Sequence, residues 1–218
     1  MRAWVIEMIS FFRKHWCDVG LVMAIVVLGY LVANFGEMSE IKVLLALSFV
    51  AILVHQFEEY RWPGYFAGLF NVVIFKSDIP DRYPLNTQSA MVINILIAYV
   101  FYLLPVFFPN IIWLGLAPIL MGFFQFIWHG IFANIKAKTI YNPGLGAVVL
   151  LHVPIGYAYM RYVLLHNLAT NLDWILGIIY FLVATYFLII KGNMLLKNKE
   201  TIHYFSKKQL GPYNATLK

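Results

Sequence analysis

His55, Glu58 and Glu59 fall within five residues, at the end of an apolar run that begins near Ile41. At about 100° per residue, positions i, i+3 and i+4 share one helical face. The imidazole and both carboxylates therefore point roughly the same way, and Ser48 lies on that face two turns earlier. Hydrocarbon is a costly surrounding for such groups, so ionisable side chains in membrane segments face a bundle interior or a wet cavity. One imidazole and two carboxylates make half of a metal site or of an acid/base centre. The other half has to come from elsewhere in the chain.

The elements that must bring it there are membrane helices. Hydrophobic residues make up 62% of the 218 positions and charged residues 12%, with a mean hydropathy of +0.76. That balance excludes a soluble domain and implies an all-α, polytopic transmembrane helical bundle, a single domain over residues 1–218. Six runs approach the roughly 20 apolar residues that a crossing needs: 19–36, 40–58, 88–108, 110–135, 144–165 and 171–190. An apolar stretch opened by Pro63-Gly64 and ending at Phe75 is too short to span and reads as a re-entrant or interfacial helix. Residues 1–17 carry Glu7, Arg13, Lys14 and His15 where a signal peptide would be apolar, so they read as an N-terminal interfacial helix. Pro80 and Pro84 mark 78–87 as a surface loop, and Phe107-Phe108-Pro109-Asn110 and Tyr141-Asn142-Pro143-Gly144 are turns. The single Cys17 excludes an internal disulfide and a multi-thiolate metal site.

Charge sets the orientation. With the amino terminus in the cytoplasm, the segments on that side hold 14 of the 16 basic residues, only Lys42 and Arg161 falling outside. This is the positive-inside asymmetry of a protein of the cell (plasma) membrane with both termini cytoplasmic. The net charge of +6 is thereby explained by orientation, and no nucleic-acid partner is implied. His55 then lies near the inner end of the second span, His129 near the inner end of the fourth and His152 near the inner start of the fifth. Asn94 sits at a similar depth on the third. Gln125 and Gly122 share a helical face with His129, whereas Asn134 is turned about 140° away from it.

His55-x-x-Glu58-Glu59 at the end of a span resembles the HXXEE family of small integral membrane proteins. The Arg61-Trp62-Pro63-Gly64 segment, Trp128-His129 and Tyr141-Asn142-Pro143-Gly144 extend the resemblance over about residues 45–160. It implies a membrane bundle and no established activity. A looser likeness is to CAAX-protease-type membrane endopeptidases, which pair adjacent glutamates with histidines from later spans. The chain departs from that second pattern in the spacing of Arg61, Phe126 and Asn134.

A His/Glu set without thiolates suits a divalent metal, zinc first, with iron or manganese as alternatives. His55, His129, His152 and Glu58 are the expected metal ligands and Glu59 the expected catalytic base, with Gln125, Asn94 and Ser48 in support. The reverse order of the two glutamates fits the spacing equally well. Both glutamates as ligands would instead suit a two-metal centre and oxidative chemistry. Metal-assisted hydrolysis of a lipid, a lipidated molecule or a membrane peptide near the cytoplasmic leaflet is the expected function. A transporter, channel or accessory subunit using the same residues as a proton or cation relay is the alternative. A third reading is structural: membrane histidines bridge helices by hydrogen bonds, and Glu58 or Glu59 could pair with Arg61. No Gly-x-x-x-x-Gly-Lys, Gly-x-Gly-x-x-Gly or Gly-x-Ser-x-Gly supports nucleotide-driven work or serine hydrolysis.

Overall fold

The computed structural model describes residues 2–216, and the regular structure among them is helical. The chain runs through α1 (Arg2–Ala33), α2 (Glu40–Tyr60) and a short α3 (66–74). It continues through α4 (Thr87–Phe107), α5 (Ile112–Ala137), α6 (Leu145–Leu165) and α7 (Asn171–Leu196) to a one-turn α8 (Lys207–Leu210). Six of these, α1, α2 and α4 to α7, are long and apolar enough to cross a membrane, and the protein is a membrane protein. The connection 108–111 between α4 and α5 is as short as its Pro-Asn turn requires.

The amino-terminal region departs from expectation. Residues 2–17 are not a separate interfacial helix but the first half of α1, which runs unbroken for 32 residues. No proline interrupts this stretch, so helix propagates through the charged positions once nucleated. At 1.5 Å per residue α1 is about 48 Å long, well beyond the roughly 30 Å of hydrocarbon. The charged positions thus occupy an overhang. The anticipated short helix after the second span is present as α3, which is largely buried. Asn71 of α3 donates to the carbonyls of Pro80 and Leu85 and accepts from the Leu85 amide, so the proline loop after α3 is tied inward. Pro84, Leu85 and Asn86 are buried.

Local chemistry explains where the helices begin. Asn86 and Ser89 form a reciprocal capping box at the start of α4, as Thr170 and Asp173 do for α7, satisfying amides that have no partner inside the helix. Inside α5 and α6 the hydrogen bonding widens into π turns, over Phe126–Ala133 and Val148–His152. Such turns hold more residues than an α turn, so side chains past them point differently from a 3.6-residue projection. His129 and His152 both lie in these turns.

α2 is the centre of the bundle: 67% of its most apolar stretch is buried, against 11% for α7. Three apolar clusters stack along it. Leu45, Leu116 and Tyr159 pack at the end far from the termini. Phe49, Leu53, Ile97, Phe101, Tyr102 and Met121 fill the middle. Trp16, Tyr60, Phe66, Leu69, Phe205 and Leu210 close the end where the termini lie. The outer surface of α7, with Ile175, Ile178, Leu182 and Phe187 exposed, is apolar as a lipid-facing wall requires. His55 falls between the middle and the lower cluster.

Candidate metal centre

α2 delivers His55 and Glu59 one turn apart on its buried face, with 1% and 5% of their surfaces exposed. The π turn of α5 brings in His129, also 1% exposed. Nε2 of His55 and Nε2 of His129 each lie 3.5 Å from the same Oε1 of Glu59. The candidate ligand atoms of these three residues all fall within 4.8 Å of one another. The two imidazoles meet nearly perpendicular, centroids 4.9 Å apart.

Each imidazole is oriented from behind. Nδ1 of His55 donates to the carbonyl of Gly144 at 3.1 Å. A carbonyl only accepts, so the proton belongs on Nδ1 and Nε2 of the neutral ring is left with a lone pair. Nδ1 of His129 lies 2.6 Å from Oδ1 of Asn142. The amide of Asn142 cannot be turned over, because its Nδ2 donates to the His129 carbonyl and to Oδ1 of Asn134, each at 2.8 Å. His129 therefore also carries a proton on Nδ1, and Nε2 is the nitrogen it turns toward Glu59. This is how histidine ligands are held in metal sites: one ring nitrogen tied to a carbonyl oxygen, the other free to coordinate.

Gly144 makes the convergence sterically feasible. Its φ is +101°, and a Cβ there would stand 2.7 Å from Cε1 of His129 and 2.8 Å from Cε1 of His55. Only glycine combines that backbone angle with that approach.

Glu58 does not join the group. Its Oε1 accepts from the Tyr141 hydroxyl at 2.8 Å and the Gly146 amide at 3.0 Å, and its Oε2 from the Ala147 amide at 2.7 Å. It caps the amino terminus of α6, where unpaired N–H groups and the helix dipole favour an anion. Burial first, and then Glu58 itself, pushes the Tyr141 hydroxyl well above the ordinary phenol range, so Tyr141 stays a neutral donor. Glu58, expected as a ligand, thus lies apart from the two imidazoles, and Glu59, expected as the base, is the glutamate that faces them. Adjacent residues sit about 100° apart on a helix, and the start of α6 occupies the side that Glu58 faces. Neither glutamate pairs with Arg61, whose guanidinium binds Asp18 and the Lys14 carbonyl of α1.

His152 stands beside the three without being one of them. Its ring lies edge-on to His55, centroids 5.6 Å apart, and its buried Nε2 has no hydrogen-bond partner among the described residues. The Tyr102 ring packs against it at 5.9 Å. Of the expected supporting residues, Asn94 binds the neighbour of the site: its carbonyl accepts from Gln56 at 2.8 Å. Ser48 is buried higher on α2. Gln125 is only half-buried and forms no side-chain hydrogen bond with the site among the described residues. Asn134, placed off the His129 face by an α-helical projection, reaches the site indirectly by holding Asn142. Tyr141, Asn142, Gly144 and Asn134 are thus site residues that periodicity could not find. For Tyr141, Asn142 and Gly144 the sequence signal is the Tyr-Asn-Pro-Gly turn itself.

Residues 46–159 match the model of a family described as proteins of unknown function with an HXXEE motif. No curated protein and no solved structure matches the chain, so nothing supports the looser likeness to CAAX-type endopeptidases.

Proposed function

The chain belongs to the family of proteins of unknown function with an HXXEE motif, and we propose that in this member His55, Glu59 and His129 hold a divalent metal ion in an intramembrane hydrolase. The observation that carries the reading is the pair of Nε2 atoms, each ring set from behind by an acceptor on Nδ1, converging on one carboxylate oxygen. Two histidines and a glutamate are the donor set of catalytic zinc, which leaves a position open, and not of closed structural zinc. Iron or manganese fits the same donors. Bound there, the ion would supply Lewis-acid polarisation of a carbonyl or phosphoryl oxygen. With Glu59 engaged as a ligand and Glu58 as a cap, the group left to take and return a proton is His152.

The basic asymmetry supports cytoplasmic termini in a plasma membrane, and with them a site beneath the inner leaflet. The substrate class is accordingly a lipid, a lipidated molecule or a membrane peptide. Elemental analysis of the purified protein tests the proposal. About one zinc per chain is expected, lost in His55→Ala, His129→Ala and Glu59→Gln but kept in Glu58→Gln. Lipid and lipopeptide hydrolysis should follow the same pattern. Wild-type protein that takes up no metal on reconstitution, or histidine variants that keep it, overturn the reading.

A second reading is favoured by the continuity of the row Tyr102, His152, His55, Glu59, His129 through the bundle. Such a row could pass protons or cations across part of the membrane. It predicts metal-free protein and a pH-driven flux in liposomes that disappears in Glu59→Gln.

A further inference from the structure

The overhang of α1 and the carboxyl-terminal segment enclose a cavity of about 860 Å³ at the end of the bundle where the termini lie. α1 contributes Ser10, Arg13 and Lys14 to its lining, and the tail contributes His203 and Lys208. Between these walls lie Tyr60, the last residue of α2, then Arg61, and Thr87, the first residue of α4. The lining therefore belongs to helix ends and to segments beyond them. Counted back from Ala33, about 20 residues take α1 across the hydrocarbon, which leaves Arg13 and the residues before it outside. A ligand reaches this cavity from water.

The positive-inside asymmetry explains why cations lie on this side of the membrane, but not why they converge on one concave space. Arg13 and Lys14 come from one end of the chain and Lys208 from the other, all outside the residues 46–159 that match the family. No Asp or Glu lines the cavity. Its fourth cation, Arg61, is neutralised by Asp18. Lys199 and Arg82, on the same side, likewise find Asp78 and Asp81. Arg13, Lys14 and Lys208 pair with no carboxylate among the described residues. The Nε of Arg13 is held by the neutral Gln88 side chain, which fixes the guanidinium and leaves its terminal N–H groups without an acceptor among those residues. Burial, and then the Arg13 guanidinium, hold His203 below the ordinary imidazole range, so the charge on one wall is felt at the other.

Three like charges around one space repel each other, and a multivalent anion between them turns that repulsion into attraction. An arginine with free N–H groups and two lysines as point charges are a phosphate-binding set. Small-molecule pockets run to about 300–1,000 Å³, so this one has room for more than a single phosphoryl group. We propose that the cavity binds a soluble oligophosphate, its phosphoryl oxygens against Arg13, Lys14 and Lys208. Bound there, the anion ties the tail to α1. The site is separate from the His/Glu group and stands whether or not that group holds a metal.

Isothermal titration of the detergent-solubilised full-length protein with pyrophosphate, without magnesium, tests this. One pyrophosphate per chain should bind, about fivefold or more tightly than orthophosphate, since one added exposed ion pair is worth about that ratio. Lys14→Gln with Lys208→Gln should weaken binding by about 25-fold, at about fivefold for each pair lost. Both side chains are exposed, so the fold should survive, and either single variant serves if the double does not purify. Lys197→Gln with Lys207→Gln removes the same charge from exposed positions that do not line the cavity, and should leave binding unchanged. Glu59→Gln should bind pyrophosphate as the wild type does, and hydrogen exchange over residues 203–210 should slow when the anion is present. Absence of binding to the wild type overturns the proposal, and equal weakening by the two lysine pairs does so too, because binding would then follow net charge alone. Binding lost in Glu59→Gln would place the anion on the metal centre and end the proposal. Displacement of pyrophosphate by micellar phosphatidylglycerol, but not by phosphatidylcholine, would assign the cations to a lipid headgroup and equally end it.

Discussion

Gly144→Ala is the single methyl group with the most to disturb. At φ +101° the backbone of residue 144 lies where L side chains are strained, and holding a non-glycine residue in such a region costs about 1–3 kcal/mol. The new Cβ would also press on two imidazoles at 2.7 and 2.8 Å, and overpacking of that kind adds about 1–3 kcal/mol. Neither ring can swing away freely, because His55 is bonded to the carbonyl of Gly144 itself and His129 to Asn142. The loop can relieve the clash only by withdrawing and taking the His55 acceptor with it. The expected result is a loss of about 4 kcal/mol of stability together with loss of bound metal. Denaturant unfolding of the detergent-solubilised protein, with zinc content measured on the same samples, reads both quantities. Gly29→Ala in α1 is the control: nothing lies within 4 Å of its Cβ position, and alanine there should be neutral or stabilise by up to about 1 kcal/mol. If Gly144→Ala unfolds and binds zinc as the wild type does, the argument for close approach at this turn is wrong.

Glu58→Gln should separate capping from ligation: it leaves one buried amide of α6 without an acceptor and removes a charge from the helix terminus. A loss of about 2–4 kcal/mol is expected with zinc content unchanged, and zinc lost without destabilisation would reverse the assignment of the two glutamates. Asn142→Ala removes three side-chain hydrogen bonds at a fully buried position and frees the ring of His129. Zinc affinity, measured by competition with a chelating dye, should fall about 10–100-fold. An unaltered affinity would mean that His129 is oriented by packing alone.

Much of the architecture is legible in the chain order. The apolar runs mark five of the crossings within a few residues, because a bilayer imposes a minimum length and excludes unpaired backbone. The first crossing shows the limit of that reading. Glu7, Arg13 and Lys14 look like the end of a membrane segment, yet all three are good helix formers and no proline stops the helix, so it runs on through them. Asn134 shows a second limit. A projection at 3.6 residues per turn puts it off the His129 face, and the π turns of α5 alter that period in a way that residue types do not announce.

The site divides along the same line. Residue types and inferred depth alone bring His55, His129 and His152 to one level, since buried ionisable groups in a membrane need partners and partners must share a depth. Which glutamate turns inward, and which histidine stands aside, depend on what packs against α2. The start of α6 presents free amides to Glu58, while α5 presents His129 to Glu59. The turn 141–144 has no periodicity to read, and its work is long-range: each of Tyr141, Asn142 and Gly144 meets a side chain of another helix. Composition and order determined that a polar centre exists inside this bundle and near which end. Only the packing of three helices and one glycine turn decided which atoms face each other, because hydrogen-bond geometry is set by contacts between residues far apart in the chain.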